Sequence, residues 1–321
     1  MKFSVIIPSY NAATTICSTI ESIIKAFESE CEIIVIDDFS TDNTEHLICN
    51  LIKSDQKYKI ISYHKNTNNL GVSASRNIGI KKSMGEFVMF VDADDQVSPQ
   101  IKPKIKEIID KYENVDVVRF NHTKSNGSVA FMKIITSLDE IPLDLLKSFY
   151  FHSSCTQVVR RNLYKNIGYD ETLIFGEDML LSFSLLKSSR KTVLLSEKLY
   201  EYKHYDNSVS NRIDISHIQQ CLQSISRVYD NVLDLFCDNV KFQKILDRKR
   251  NKEMSLQLLK IFRTSKDVYD LEINKYRDKY RNSSLLTKDF YSLHAFTIEK
   301  ELRLFEMILN NIYINIKGKS E

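Results

Sequence analysis

The chain is short of the residues that break regular structure. Its 321 residues include four prolines and seven glycines, where average usage gives roughly 16 and 22. Few breakers mean few tight turns, which excludes a turn-rich all-β fold and favours long helices. Tryptophan is absent. No stretch reaches the roughly 18 consecutive apolar residues that span a bilayer. The apolar run near the start is too short for a secretory signal and stops at Pro8. Six cysteines, at 17, 31, 49, 155, 221 and 237, stand far apart with no C-x-x-C and no pairing with histidine. That spacing excludes a disulfide scaffold and a structural zinc site, and leaves small buried thiols. No strong charge bias exists either. Lys plus Arg total 45 against 42 Asp plus Glu, a net of +3, so nothing suggests a nucleic-acid partner. No G-x-G-x-x-G follows the first apolar run and no G-x-x-x-x-G-K-[ST] occurs, which removes the NAD-type and P-loop phosphate cradles. The expected location is cytoplasmic, with any membrane contact peripheral and on the inner face.

What is present divides the chain in two. Residues 211–321 hold 20 Lys/Arg and 15 Asp/Glu, a net of +5, and residues 1–210 carry 25 and 27, a net of −2. The first part has short apolar runs between polar loops. The second has long mixed stretches of helical spacing and one glycine, Gly318. We therefore expect a catalytic domain over 1–210 and a helical domain over 211–321. In the first, Phe3–Ile7, Glu32–Ile36, Lys59–Tyr63, Phe87–Val91 and Val115–Phe120 read as strands. Helical stripes separate them: Ile16, Ile20, Ile23, Ile24 and Phe27, then Leu47, Ile48, Leu51 and Ile52 behind a Ser40-Thr41-Asp42 cap. A third helix opens at Gly71, and a fourth carries Ile101, Ile105, Ile108, Ile109 and Tyr112. Alternating strands and helices predict an α/β fold, a mostly parallel sheet flanked by helices. Its ligand site lies beyond the carboxyl ends of the strands.

Carboxylates stand at those ends: Asp37 and Asp38 after the second strand, Asp92, Asp94 and Asp95 after the fourth. A carboxylate repels phosphate but can hold a divalent cation that holds phosphate, with hard oxygens on both sides of Mg²⁺ or Mn²⁺. Asp92 and Asp94, two apart at a strand end, are expected to point the same way and Asp95 elsewhere.

Five segments in order carry a resemblance. They are Ser4-Val5-Ile6-Ile7-Pro8-Ser9-Tyr10-Asn11, Ile36-Asp37-Asp38-Phe39-Ser40-Thr41-Asp42, Gly71 to Gly79, Phe90-Val91-Asp92-Ala93-Asp94-Asp95, and Gly176-Glu177-Asp178 before Met179-Leu180-Leu181. Together they resemble the family 2 glycosyltransferases of the GT-A, Rossmann-like fold, over roughly residues 3–210. The resemblance implies inverting transfer of a sugar from a nucleoside-diphosphate sugar, with UDP favoured, to the hydroxyl of a saccharide or lipid-linked saccharide. It implies surface-polysaccharide or glycolipid assembly as the setting. It also places Pro8, Tyr10 and Asn11 around the nucleoside base, Asp38 at base or ribose, Asp92 by ribose and metal, Asp94 on the metal, and Asp178 as catalytic base.

Elementary chemistry agrees with these roles. A departing diphosphate gathers negative charge that a metal offsets, and an attacking hydroxyl must lose its proton to a carboxylate. Glu177 and Asp178 begin a helix, where neighbours diverge by about 100°, so one faces the acceptor while the other supports it. Arg76 is expected to clamp Asp38 or Asp92 or to touch the diphosphate, the clamp being favoured. Gly71 and Gly79 are expected to serve turns or close packing. His204 is a candidate third metal ligand or phosphate donor, in a segment with Ser208, Ser210 and Asn211. Gln157 and His152 are candidate sugar contacts near Ser153–Arg161, where this chain departs from the family by lacking tryptophan.

In the C-terminal third we expect three or four helices, with apolar stripes Ile218–Leu235, Leu256–Phe262 and Phe296–Ile312. They would pack on one another, join copies into a homo-oligomer, or form a membrane or acceptor platform. The basic run Lys241, Lys244, Arg248, Lys249, Arg250 and Lys252 suits an anionic surface. Two rival functions remain. A sugar nucleotidyltransferase would want a Gly- and Arg-rich loop where Pro-Ser-Tyr-Asn stands, and an inactive binding or assembly protein would not need Asp38, Asp92, Asp94 and Asp178 intact.

Overall fold

The computed structural model describes residues 2–123, 132–142, 153–203, 214–265, 267–268 and 271–272. The expectations placed on His152, His204, Ser208, Ser210, Asn211 and the stripe Phe296–Ile312 lie outside these residues. Two compact units emerge: Met1–Ser208 with Asp234–Asn239, and Val209–Leu233 with Val240–Glu321.

The first unit runs β1 Phe3–Ser9, α1 Ile16–Phe27, β2 Cys31–Asp37, α2 Thr44–Ser54, β3 Ile61–Lys65, α3 Val72–Lys82, β4 Phe87–Phe90, β5 Gln96–Val97 and α4 Ile101–Lys111. It continues with β6 Val117–His122, β7 Lys133–Ile135, β8 Gln157–Arg160, α5 Glu177–Ser188 and β9 Thr192–Glu201. The nine strands form one sheet, ordered β3-β2-β1-β4-β8-β6-β9-β5, with β7 on β9. β1 pairs in parallel with β2 and β4, and β2 with β3. This is the alternating α/β frame that the sequence predicts. Beyond β4 the sheet becomes mixed, because β8 inserts antiparallel between β4 and β6. Gln157–Arg160 is only four residues long and follows a Ser- and Thr-rich turn, too brief a pattern to stand out.

Two boundaries differ from expectation for local reasons. β3 starts at Ile61 rather than Lys59, because Gln56–Ile60 winds into a 3₁₀ turn whose cap, Asp55, accepts from the Lys57 N–H at 3.0 Å. Pro8 belongs to β1, buried and opposite Ile36, rather than to the following loop. β4 reaches only as far as Ile6 along β1, so the missing Pro8 N–H removes no β1–β4 ladder bond.

α3 lies unusually close to β1. A Cβ at Gly79 would stand 2.3 Å from Ile6 Cγ2, and Ile6 is wholly buried. Gly79→Ala is therefore expected to lower unfolding free energy by about 1–3 kcal/mol through overpacking. A urea denaturation midpoint equal to wild type would refute this.

In the second unit, α6 Ile215–Leu235 buries Ile218, Leu222, Ile225, Val228, Tyr229 and Val232, the stripe read from sequence. α7 Val240–Thr264 departs from its expected stripe. Leu256 is exposed, while Met254, Leu258 and Ile261 are buried. Positions i, i+4 and i+7 mark the inward face. The basic run is also divided. Lys241, Lys244 and Arg248 are exposed, whereas Arg250 turns inward to Asp247 at 2.8 Å and Asp230 at 3.4 Å.

Candidate active site

β1 is the switch point of the parallel strands, with β2 and β3 on one side and β4 on the other. Side chains at the carboxyl ends of β1, β2 and β4 meet there, as expected for such sheets.

The loops after β1 and β2 are laced together. Asn11 donates its N–H to Ser40 Oγ at 2.9 Å and accepts the Thr41 N–H on Oδ1 at 2.9 Å. Tyr10, beside it, is exposed. Asp37 and Asp38, by contrast, are buried. Asp37 accepts the Ser40 N–H at 2.8 Å and the Tyr63 hydroxyl at 2.5 Å. Asp38 accepts from Asn66 Nδ2, the Leu70 N–H and the Gly71 N–H, each at 2.8 Å. This acidic pair shapes loops. Gly71 sits at φ 89°, a conformation glycine adopts without strain, and this orients its N–H toward Asp38. Phe39, Leu70 and Val72 stay exposed around these loops.

The turn after β4 is anchored differently. The Asp92 N–H donates to the Tyr200 hydroxyl at 3.1 Å, and that hydroxyl donates to Asp95 Oδ2 at 2.7 Å. Asp95 Oδ1 accepts the Lys203 N–H at 2.8 Å, and the Ala93 carbonyl accepts from Thr19 Oγ1 at 2.9 Å. Asp95 is buried while Asp94 is exposed. Burial and the charge of Asp92 push Asp95 up to about 7, against the opposing Tyr200 and Lys203 bonds. Partial desolvation by the surrounding turn, then the charge of Asp92, also raises Asp94 although its side chain reaches solvent. That repulsion is one a cation would relieve. Among the described residues no three His, Cys, Asp or Glu side chains converge into a ready cation cage. Two carboxylates fit a divalent ion that takes its remaining ligands from a diphosphate and water, as Mg²⁺ commonly does.

Arg76 joins this turn to α5. It rises from α3, almost fully buried, and donates from Nη2 to Asp92 Oδ1 at 3.2 Å. Its Nη1 donates to Asp178 Oδ1 at 2.9 Å and to Glu177 Oε1 at 3.4 Å. The clamp expected of Arg76 exists, and its targets are Asp92 and the Glu177–Asp178 pair, with none to Asp38. Adjacent helix residues were expected to diverge, yet both converge here because one guanidinium lies beside the first turn of α5. Burial opposes the charge on Arg76, but Asp178, Tyr169 and Asp92 outweigh it and hold the group protonated. Burial, then the Asp178 charge, pushes Glu177 up to about 7, eased by Arg76. The helix itself follows Gly176, whose φ of 78° lets the chain turn sharply into it.

Four residues of this region escaped the sequence reading: Ser154, Tyr169, Tyr200 and Arg119. Ser154 donates to Asp178 from both its N–H and its hydroxyl. Burial pushes Arg119 down to about 10, with Asp178 acting the other way. Arg119 donates to Gln157 Oε1 at 2.8 Å, so the candidate sugar contact Gln157 is engaged inside the protein. Only the Ser-Ser pair ahead of a Val-Val strand hinted at a turn here.

A family model described as Glycosyl transferase family 2 matches residues 4–168. Over 207 residues the chain is 31% identical to TarS of Staphylococcus aureus, a poly(ribitol-phosphate) beta-N-acetylglucosaminyltransferase, covering 63% of this chain and 35% of TarS. It is 28% identical over 269 residues to GgaB of Bacillus subtilis, a minor teichoic acid biosynthesis protein, covering 80% of this chain and 27% of GgaB. The matched region thus spans about a third or less of either relative. The crystal structure of TarS 1–349 with UDP-GlcNAc superposes with a TM-score of 0.58 at 21% identity, covering 87% of this chain and 92% of that one. A mannosyltransferase from Pyrobaculum calidifontis, in complex with GDP-Man and Mn²⁺, gives 0.58 at 12% identity, covering 92% and 83%. These two likenesses show a shared fold.

Proposed function

This chain belongs to glycosyl transferase family 2, and from that premise we propose that it moves a sugar from a nucleoside-diphosphate sugar to an acceptor hydroxyl with inversion. One observation carries the reading: a single buried arginine ties Asp92, at the end of β4, to Asp178, at the start of α5. A diphosphate-side carboxylate and a base-side carboxylate are thereby held in one rigid cluster.

Tyr10, Asn11 and the loop that Asp38 anchors border the nucleoside. Asp94, with the Asp92 oxygen not held by Arg76, would hold Mn²⁺ or Mg²⁺. When bound, such an ion offsets the charge on the departing diphosphate. Asp178 accepts the proton of the attacking hydroxyl on the face opposite the leaving group. Glu177, pushed up to about 7, carries only about half a negative charge beside it near neutral pH. The complexes of TarS support UDP as the nucleotide. The names of TarS and GgaB support a polyol-phosphate or related surface polymer as the acceptor.

A thermal-shift panel of UDP-, GDP- and dTDP-sugars, with and without Mn²⁺, tests the donor half. A UDP-sugar at a hundredfold excess over Kd is expected to add about 2.7 kcal/mol of apparent stability. An unmoved melting temperature with every donor, in metal and without, would overturn the proposal.

A further inference from the structure

An aspartate that takes a proton must present one oxygen to the acceptor, and its side chain has two freely rotating bonds. On the reading that Asp178 is the base, we propose that Ser154 is the positioning residue that fixes which oxygen does so. Ser154 is wholly buried. It lies in the 3₁₀ turn Ser154–Thr156, entered through Ser153, whose hydroxyl accepts the Cys155 N–H at 3.3 Å and whose carbonyl accepts from Arg119 at 3.4 Å. From this turn Ser154 reaches both oxygens of Asp178. Its hydroxyl donates to Oδ1 at 2.9 Å and its N–H donates to Oδ2 at 3.2 Å.

The proton order is forced. A serine hydroxyl has one proton to give, and an ionised carboxylate can only accept. Tyr169, buried, places its hydroxyl 2.6 Å from Ser154 Oγ. Because the Ser154 proton goes to Asp178, Tyr169 must donate to Ser154. The chain Tyr169 to Ser154 to Asp178 therefore runs one way, and aligned hydrogen bonds strengthen one another. Tyr169 is itself fixed. Asn77 Nδ2 donates to its carbonyl at 3.0 Å, and its N–H donates to Asn77 Oδ1 at 2.9 Å. Arg76, the preceding residue of α3, lies 5.2 Å above the Tyr169 ring. Asp178 Oδ1 thus receives two strong donors, Arg76 and Ser154, while Oδ2 receives one long backbone bond. The asymmetry assigns the proton-accepting role to Oδ2 and leaves Oδ1 as the anchor.

Ser154→Ala removes the hydroxyl donor to Oδ1, leaves Arg76 as the side-chain donor there, and strands the Tyr169 hydroxyl, so Ser154→Ala with Tyr169→Phe is the cleaner variant, both partners being removed together. UDP release from UDP-GlcNAc with poly(ribitol phosphate) should show kcat reduced about 10- to 100-fold, the effect expected of a misplaced group. KM for UDP-GlcNAc and the UDP Kd by calorimetry should be unchanged. A crystal structure of the double variant should show the Asp178 carboxylate rotated or in two positions. Wild-type kcat, or an Asp178 carboxylate in its original single position, overturns the proposal. Asp178→Asn separates the two readings. A silent double variant beside an inactive Asp178→Asn rejects the positioning role alone, whereas an active Asp178→Asn rejects the base.

Discussion

Asp178→Asn is expected to abolish transfer while nucleotide affinity stays near wild type. General base catalysis contributes roughly 10²–10⁴-fold, and the substitution removes it together with one of the three carboxylate charges around Arg76, which keeps Asp92 and Glu177. The amide is nearly the same shape as the carboxylate, and its oxygen can still accept from Arg76 and Ser154, which both donate to Oδ1. Its NH₂ then falls where Oδ2 was, giving up the long bond from the Ser154 N–H and leaving there a donor unable to take a proton. Nucleotide contacts lie at the ends of β1, β2 and β4 and are untouched. The check is turnover beside a calorimetric UDP titration. A variant keeping a tenth of wild-type turnover rules out Asp178 as the base.

Arg76→Met should be the most damaging substitution to the fold. It leaves Asp92, Glu177 and Asp178 without the cation that all three share. Removing one partner of a buried pair costs roughly 3–5 kcal/mol, because an uncompensated charge stays behind. The loss should depend on pH, and the sign follows from Glu177. Its carboxyl is raised from 4.5 to about 7 in the folded chain, with Arg76 holding it down. Once Arg76 is gone it rises further. With or without Arg76 the folded chain binds more protons than the unfolded one from about pH 5 to 7, and in the variant that excess persists above pH 7, so its stability keeps falling where that of wild type levels off. The slope is up to about 1.4 kcal/mol per pH unit for one proton. Urea midpoints at pH 5.5, 7 and 8.5 should therefore decline more steeply than in wild type. Arg76→Lys should recover part of the stability but little turnover, since one ammonium cannot span from Asp92 to Asp178 as the fork does. Equal midpoints for wild type and Arg76→Met at pH 8.5 would show that the cluster does not stabilise the fold.

The frame around these groups was legible because period and burial coincide. Val5, Ile6 and Ile7 form a run buried on both faces, and Ile16, Ile20, Ile23 and Phe27 form one buried stripe. Acidic strand ends were visible for the same reason. Their division of labour was not, since Asp38 and Asp92 look alike in sequence and differ only in what their loops bring to them. Asp38 meets three donors from residues 66–71, and Asp92 meets Arg76. Ser154 was illegible because its role depends on a strand, β8, that pairs antiparallel with partners far away in the chain. Nothing in a Ser-Ser-Cys-Thr turn records which carboxylate will be folded against it.

The close approach of α3 to β1 has a consequence for chemistry as well as packing. Gly79 and Arg76 are three residues apart on α3, which puts them on one face of the helix. The absent methyl at Gly79 lets Ile6 press into the helix, and this sets how deep the helix sits and how far the guanidinium three residues earlier extends. The reach of the shared cation is thus gauged by a hydrogen atom one turn along the same face of the helix. Residues 6 and 79 should tolerate change only as a pair, with volume added at one and removed at the other, if the distances around Asp92 and Asp178 are to survive.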